Sequence, residues 1–117
     1  MIPVNEPVVT DEDFDYVRRA VTSGWISSAG EYIEQFENSW AEYCGMKYGI
    51  SVSNGTAAIQ IALESAGIGQ DDEVIMPSFT IISCAQAITN VDAIPVLVDS
   101  DTNTWCMNVD EIQSKIT

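Results

Sequence analysis

The chain has 117 residues, enough for one domain with a modest core, and its 46% apolar content excludes intrinsic disorder. No apolar run approaches the roughly 20 residues of a membrane helix, so no membrane association is expected. Four basic against eighteen acidic residues give a formal charge of −14, which repels a phosphate backbone and argues against nucleic acid as a partner.

Residues 1–6 carry neither a basic start nor a long apolar stretch, so no leader is expected and the expected location is cytoplasmic. Pro3 and Pro7 make residues 2–9 an extended lead-in. Thr10 then offers a capping hydroxyl ahead of Asp11, Glu12 and Asp13. The spacing predicts a helix with Phe14, Val17 and Val21 on one stripe, Arg18 and Arg19 in its last turns, and a stop at Ser23-Gly24. The loop at residues 25–30 carries Trp25 and Ile26 among small polar residues. It either packs on its own domain or reaches a ligand or a second subunit. From Glu31 to Tyr43 the helical spacing returns, with Tyr32, Phe36, Trp40 and Tyr43 on one face, expected to be core, and Gly45 as the stop.

Residues 48–52 alternate bulky and small side chains as a mostly buried strand would. Ala57 to Leu63 reads as a helix that Gly67 ends. Between them, Ser53-Asn54-Gly55-Thr56-Ala57-Ala58 is a strand-to-helix turn. There Gly55 admits close backbone approach, Thr56 offers a hydroxyl, and free helix N–H groups face outward, an arrangement suited to a phosphate. On these six residues alone, a plain helix cap by Asn54 or Thr56 is the alternative and the more economical account.

The pattern then repeats. A strand at residues 73–76 is followed by a turn, Pro77 to Thr80, and a helix to about Thr89; a strand at 95–98 is closed by Asp99-Ser100-Asp101. A last helix starts at Asn108. Alternating strand and helix predicts an α/β domain with a parallel sheet of three strands. The turns at 53–56, 77–80 and 99–101 should then converge beyond the carboxyl ends of the strands. Such a sheet leaves apolar faces and edges open, which gives the expectation of a truncated chain.

Residue types that are absent narrow the chemistry. With no histidine, no Ser-His-Asp or Cys-His arrangement can form, and Cys44, Cys84 and Cys106 make neither a zinc pattern nor a disulfide framework. No metal site is expected. Lys47 and Lys115 are the only amines on side chains, and both read as surface groups.

The segments Ser23-Gly24-Trp25-Ile26-Ser27-Ser28, Ala41-Glu42-Tyr43-Cys44-Gly45, Val52-Ser53-Asn54-Gly55-Thr56-Ala57-Ala58, Asp72-Glu73-Val74-Ile75 and Pro95-Val96-Leu97-Val98-Asp99-Ser100-Asp101 occur in an order and spacing that are specific together. On them the chain resembles the N-terminal part of the DegT/DnrJ/EryC1/StrS sugar-nucleotide aminotransferases, and within that family the GDP-perosamine synthases most. The resemblance implies an incomplete fold-type I large domain: residues 1–28 as an N-terminal helix and loop, and residues 29–117 as part of the pyridoxal 5′-phosphate (PLP) domain. It implies that Gly55 and Thr56 hold the cofactor phosphate and that Ile81, where many members carry an aromatic residue, covers the cofactor ring by dispersion. Trp25 and Ser27 become candidates for the substrate side. Asp71 and Asp92 stand where the family has turn glycines, and aspartate tolerates that left-handed geometry. The implied reaction moves an amino group from an amino acid, typically glutamate, to a nucleotide-linked 4-keto-6-deoxy sugar, in a homodimer. No catalytic residue is assigned within the chain, because the family's Schiff-base lysine lies beyond its end. That gap leaves a second reading, a non-catalytic binding module or decayed fragment.

Overall fold

A computed structural model describes residues 2, 3 and 5–117. Positions 1 and 4 lie outside the described residues, and the described part of the extended lead-in at 2–9 carries no helix or strand. Two compact units follow, Met1–Ser51 and Val52–Thr117.

The first unit contains two helices. In α1 (Asp11–Ser23) the Thr10 hydroxyl accepts from the Asp13 amide, and the Asp13 carboxylate accepts from the Thr10 amide at 2.7 Å, a complete capping box. Gly24, left-handed at φ 78°, ends it. No basic residue occupies its last turn, as had been expected of Arg18 and Arg19. Arg18 instead bonds Asp15 at 2.8 Å one turn back. In α2 (Glu31–Tyr43) the bounds match the spacing, but the expected core role of its aromatic stripe is not what the structure shows. Phe36, Trp40 and Tyr43 are all exposed, and Ala41 is the helix's buried residue. The rings stack on one another instead, with centroids 6.2 Å apart for Phe36–Trp40 and 5.5 Å for Trp40–Tyr43. Tyr16 meets Tyr32 edge to face at 5.6 Å, which joins α1 to α2. An apolar groove of about 490 Å³ runs beside that contact, lined by Val17, Ala20 and Phe36 among others.

Residues 48–52 do not form the expected strand, and Tyr48 and Ile50 are exposed. Alternation prepares a segment for a sheet, but a strand exists only through a partner's ladder, and none pairs with it among the described residues. What fixes this segment is α2. Gly49 lies so close to the Glu37 main chain that a Cβ would sit 3.1 Å from the Glu37 carbonyl carbon, so glycine is required. Beside it, the Glu37 carboxylate accepts from both the Ser51 amide at 2.8 Å and the Ser51 hydroxyl at 2.9 Å. Those two bonds, the amide's first, hold the Glu37 carboxyl below its ordinary value of 4.5. A depressed acid stabilises the fold above its unfolded value and loses that contribution as pH falls through the folded one. Amide exchange at Ser51 should therefore accelerate, beyond its intrinsic pH dependence, below about pH 4.5, and Glu37→Gln should abolish that extra acceleration.

The second unit is a βαβ arrangement with one preceding helix. Helix α3 (Gly55–Ser65) is followed by β1 (Glu73–Pro77), α4 (Ile82–Asn90) and β2 (Ile94–Val98). β1 and β2 pair in parallel, Glu73 opposite Ile94 through Pro77 opposite Val98, so the parallel α/β prediction holds with two strands in place of three. α4 packs on both the sheet and α3, and Asn90 Nδ2 donates to Gln60 Oε1 at 3.2 Å. The core is Met76, Ile88, Val91 and Ala93, with Leu63, Ile68, Val74, Cys84 and Ala85 packed around it. Asp71 and Asp92 both adopt the left-handed conformation, at φ 69° and 61°, so the turns before each strand are formed without glycine. The terminal element is a 3-10 helix, Val109–Lys115, capped by Asn108.

Candidate cofactor-phosphate site

The turn at 53–56 shows which residue caps α3. Asn54 is the cap: its backbone is extended, its Oδ1 accepts from the Ala57 amide at 2.9 Å, and its main-chain carbonyl accepts from Ala58 at 3.1 Å. Those bonds leave the two outermost N–H groups of α3, on Gly55 and Thr56, without a partner among the described residues. The Thr56 hydroxyl is likewise unpartnered there. A Cβ on Gly55 would meet nothing within 4 Å, so neither packing nor backbone angle demands glycine at this position. The open space over two free amides and a hydroxyl, at the positive end of a helix dipole, fits an oxyanion that must approach the main chain closely. Capping and phosphate binding are thus compatible tasks of different residues.

The two other turns come together directly. The Ser78 amide donates to the Val98 carbonyl at 2.8 Å, and its hydroxyl to Asp99 Oδ1 at 3.4 Å. Phe79 and Trp105 approach with ring centroids 5.4 Å apart. No hydrogen bond links either turn to residues 53–56 among the described residues, although all three belong to the second unit. Ile81 precedes α4 with φ −67° and ψ 140° and is 68% exposed, leaving its aliphatic face free to cover a ring. In the first unit, Trp25 and Ser27 are both exposed, and the Trp25 amide donates to Ser23 Oγ at 3.3 Å. Ile26 is exposed as well, so this loop does not bury its apolar residues.

The amines are placed as surface groups. Lys47 Nζ lies 4.9 Å from the Tyr48 ring centroid, and Lys115 ends the 3-10 helix. The second unit otherwise has no basic residue, so the donors around residue 55 are neutral. Among the described residues no cluster of cysteine and carboxylate side chains is arranged to hold a metal. Asp101 was expected in the turn that closes β2, but its bonds onward to residues 103 and 104 were not. Its carboxylate accepts from the Thr104 amide at 2.8 Å, the Thr104 hydroxyl at 2.9 Å and the Asn103 amide at 3.1 Å, which together lower its pKa. The turn presents Trp105 at φ 60°. An aspartate three residues before a threonine, just past a strand, was the available signal.

The sequence profile of the DegT/DnrJ/EryC1/StrS aminotransferase family matches residues 7–117. The chain belongs to that family. GDP-perosamine synthase of Escherichia coli O157:H7 is 47% identical over 116 residues, covering 99% of this chain and 32% of the enzyme. The chain therefore spans about a third of the length of the curated relatives it matches. Its fold superposes on that of an aminotransferase from Psychrobacter cryohalolentis with a TM-score of 0.88 at 34% identity, covering 95% of this chain and 28% of the other. NtdA from Bacillus subtilis, solved with bound cofactor PMP, gives 0.84 at 31% identity, covering 93% and 26%. The α/β architecture is thus part of a fold-type I aminotransferase domain. Among the described residues, no helix is long and apolar enough to cross a membrane.

Proposed function

We propose that this chain supplies the cofactor-phosphate half of a PLP-dependent sugar-nucleotide aminotransferase. The observation that carries the reading is the pair of unpartnered amides on Gly55 and Thr56 beneath open space, in a chain of this family. The whole enzyme would move an amino group from an amino acid, glutamate by preference, to a 4-keto-6-deoxy sugar linked to a nucleotide, feeding polysaccharide synthesis in the cytoplasm. Relatives named for GDP-perosamine and for a dTDP-linked 3-amino-3,6-dideoxy sugar support a nucleotide-linked sugar as the acceptor class.

The bound cofactor would supply an aldehyde that accepts the amino group and an electron sink for the carbon losing or gaining it. This chain's residues bind and orient. Gly55 and Thr56 donate two N–H groups and a hydroxyl to the phosphate, Ile81 covers the ring face, and Trp25 and Ser27 meet the sugar nucleotide. On this reading residues 1–28 form an N-terminal helix and loop segment and residues 29–117 part of the PLP-binding large domain. The enzyme works as a homodimer. The test offers the full-length enzyme 15N-glutamate and a nucleotide-linked 4-keto-6-deoxy sugar. Transfer of 15N to the sugar is expected, and an unlabelled sugar at full cofactor occupancy refutes the reaction.

Neither Lys47 nor Lys115 matches the family's Schiff-base lysine, so the 117 residues by themselves are inactive in this reading. Borohydride reduction of a mixture with PLP should leave Lys47 and Lys115 without a stoichiometric adduct by mass spectrometry. One full equivalent on a single lysine would contradict this.

A further inference from the structure

The lead-in before α1 exposes its apolar side chains: Ile2 is 94% exposed and Val8 89%, with Val9 exposed beside it. Single apolar residues scattered over a surface need no account, but several in one short segment without helix or strand mark a contact surface. Pro3 and Pro7 restrict this segment to extended backbone, so docking it costs less conformational entropy than ordering a free loop. In the same unit, Tyr16, Val17, Tyr32 and Phe36 line the groove of about 490 Å³ beside the contact of α1 with α2. Aromatic-lined grooves are the surfaces on which extended, proline-containing segments dock. Arg19 stands next to it, in a second depression that shares Tyr32 with the groove and also holds Glu31. Among the described residues Arg19 makes no ion pair, whereas Arg18 is taken by Asp15. The lead-in carries the complementary charge, Glu6, immediately before Pro7. Its own copy leaves the groove open: the described lead-in residues are exposed, and the capping box at Thr10 fixes the backbone from which they depart.

We propose that residues 2–9 of one copy dock in the α1–α2 groove of a second copy, with Val8 and Val9 against Tyr16, Tyr32 and Phe36, and Glu6 beside Arg19. A two-fold axis makes the exchange reciprocal, so both grooves are filled and both lead-ins are covered. The exchange rests on the homodimer reading given above and adds to it the segment that each copy gives the other. The groove supplies the apolar contact, and the ion pair at its rim sets which segment enters and in which direction.

The test uses full-length enzyme in which Asn5, an exposed residue outside the proposed contacts, is replaced by the photo-cross-linker p-benzoylphenylalanine. Equal amounts of 15N-labelled and unlabelled enzyme are incubated until native mass spectrometry shows that subunits have exchanged, then irradiated, and the cross-linked peptides are mapped. Mixed-isotope pairs that join the lead-in to the α1–α2 groove are expected. Groove cross-links found only in same-isotope pairs would place the lead-in on its own copy and overturn the proposal. A dimer whose cross-links lie elsewhere, or are absent, removes the exchange and leaves the homodimer reading, while a monomer removes both. Arg19→Glu should lower the yield of mixed pairs about threefold or more, and adding Glu6→Arg to the same chain should restore it. Circular dichroism verifies that both variants remain folded. A yield that Arg19→Glu leaves unchanged overturns the seat assigned to Glu6.

Discussion

Gly55→Val is expected to weaken binding of pyridoxal 5′-phosphate on the order of 100-fold in the full-length enzyme, with little change in folding. The β-branched side chain would occupy the space through which the phosphate reaches two amides, and each hydrogen bond to a charged group contributes about 1.5–3 kcal/mol. Folding should tolerate the change because a Cβ at this position meets nothing within 4 Å and the glycine has no positive φ. Equilibrium dialysis measures the affinity, and circular dichroism with thermal melting verifies the fold. Full cofactor occupancy in the variant would remove Gly55 from the site.

Ile88→Ala should produce the largest loss of stability, about 2–4 kcal/mol by denaturant unfolding. Ile88 is 3% exposed in α4 and belongs to the cluster of Met76, Val91 and Ala93. Truncation there opens a cavity beneath the two-stranded sheet, and a sheet this small has few other apolar contacts to hold it. The stacked ring of Phe36 is 56% exposed, so Phe36→Ala in this chain should cost well under half as much. Equal costs for the two substitutions would mean that the core has been misplaced.

The contrast between these residues also marks what could be read from the sequence. The bounds of α1 and α2 were legible because their signals are local: Thr10 and Asp13 at capping spacing, Gly24 and Gly45 just past the last turns. β1 and β2 were legible as short apolar runs between turn residues, and Asp71 and Asp92 were correctly matched to left-handed turns. Burial was not legible. Phe36, Trp40 and Tyr43 have the period of a buried stripe, but what covers a stripe is not encoded in its period. Residues 48–52 failed as a strand for the same reason, since alternation does not supply a partner. The helix start at Gly55 was legible because its signals lie in one contiguous turn. The meeting of the turns at 77–80 and 99–101, seen in the Ser78–Asp99 bond, followed from the parallel α/β pattern, whereas the Phe79–Trp105 pair joins residues more than 20 positions apart and no local pattern announces it.

In the proposed site the free amides of Gly55 and Thr56 hold the cofactor phosphate. Titrating the 15N-labelled full-length enzyme with pyridoxal 5′-phosphate, and separately with pyridoxal, reads those two amides directly. The claim predicts that the Gly55 and Thr56 amide protons move downfield with the phosphorylated ligand and much less with pyridoxal, while Ala57, already bonded to Asn54, shifts little. Saturation with the cofactor that leaves the Gly55 and Thr56 amides unshifted would contradict it.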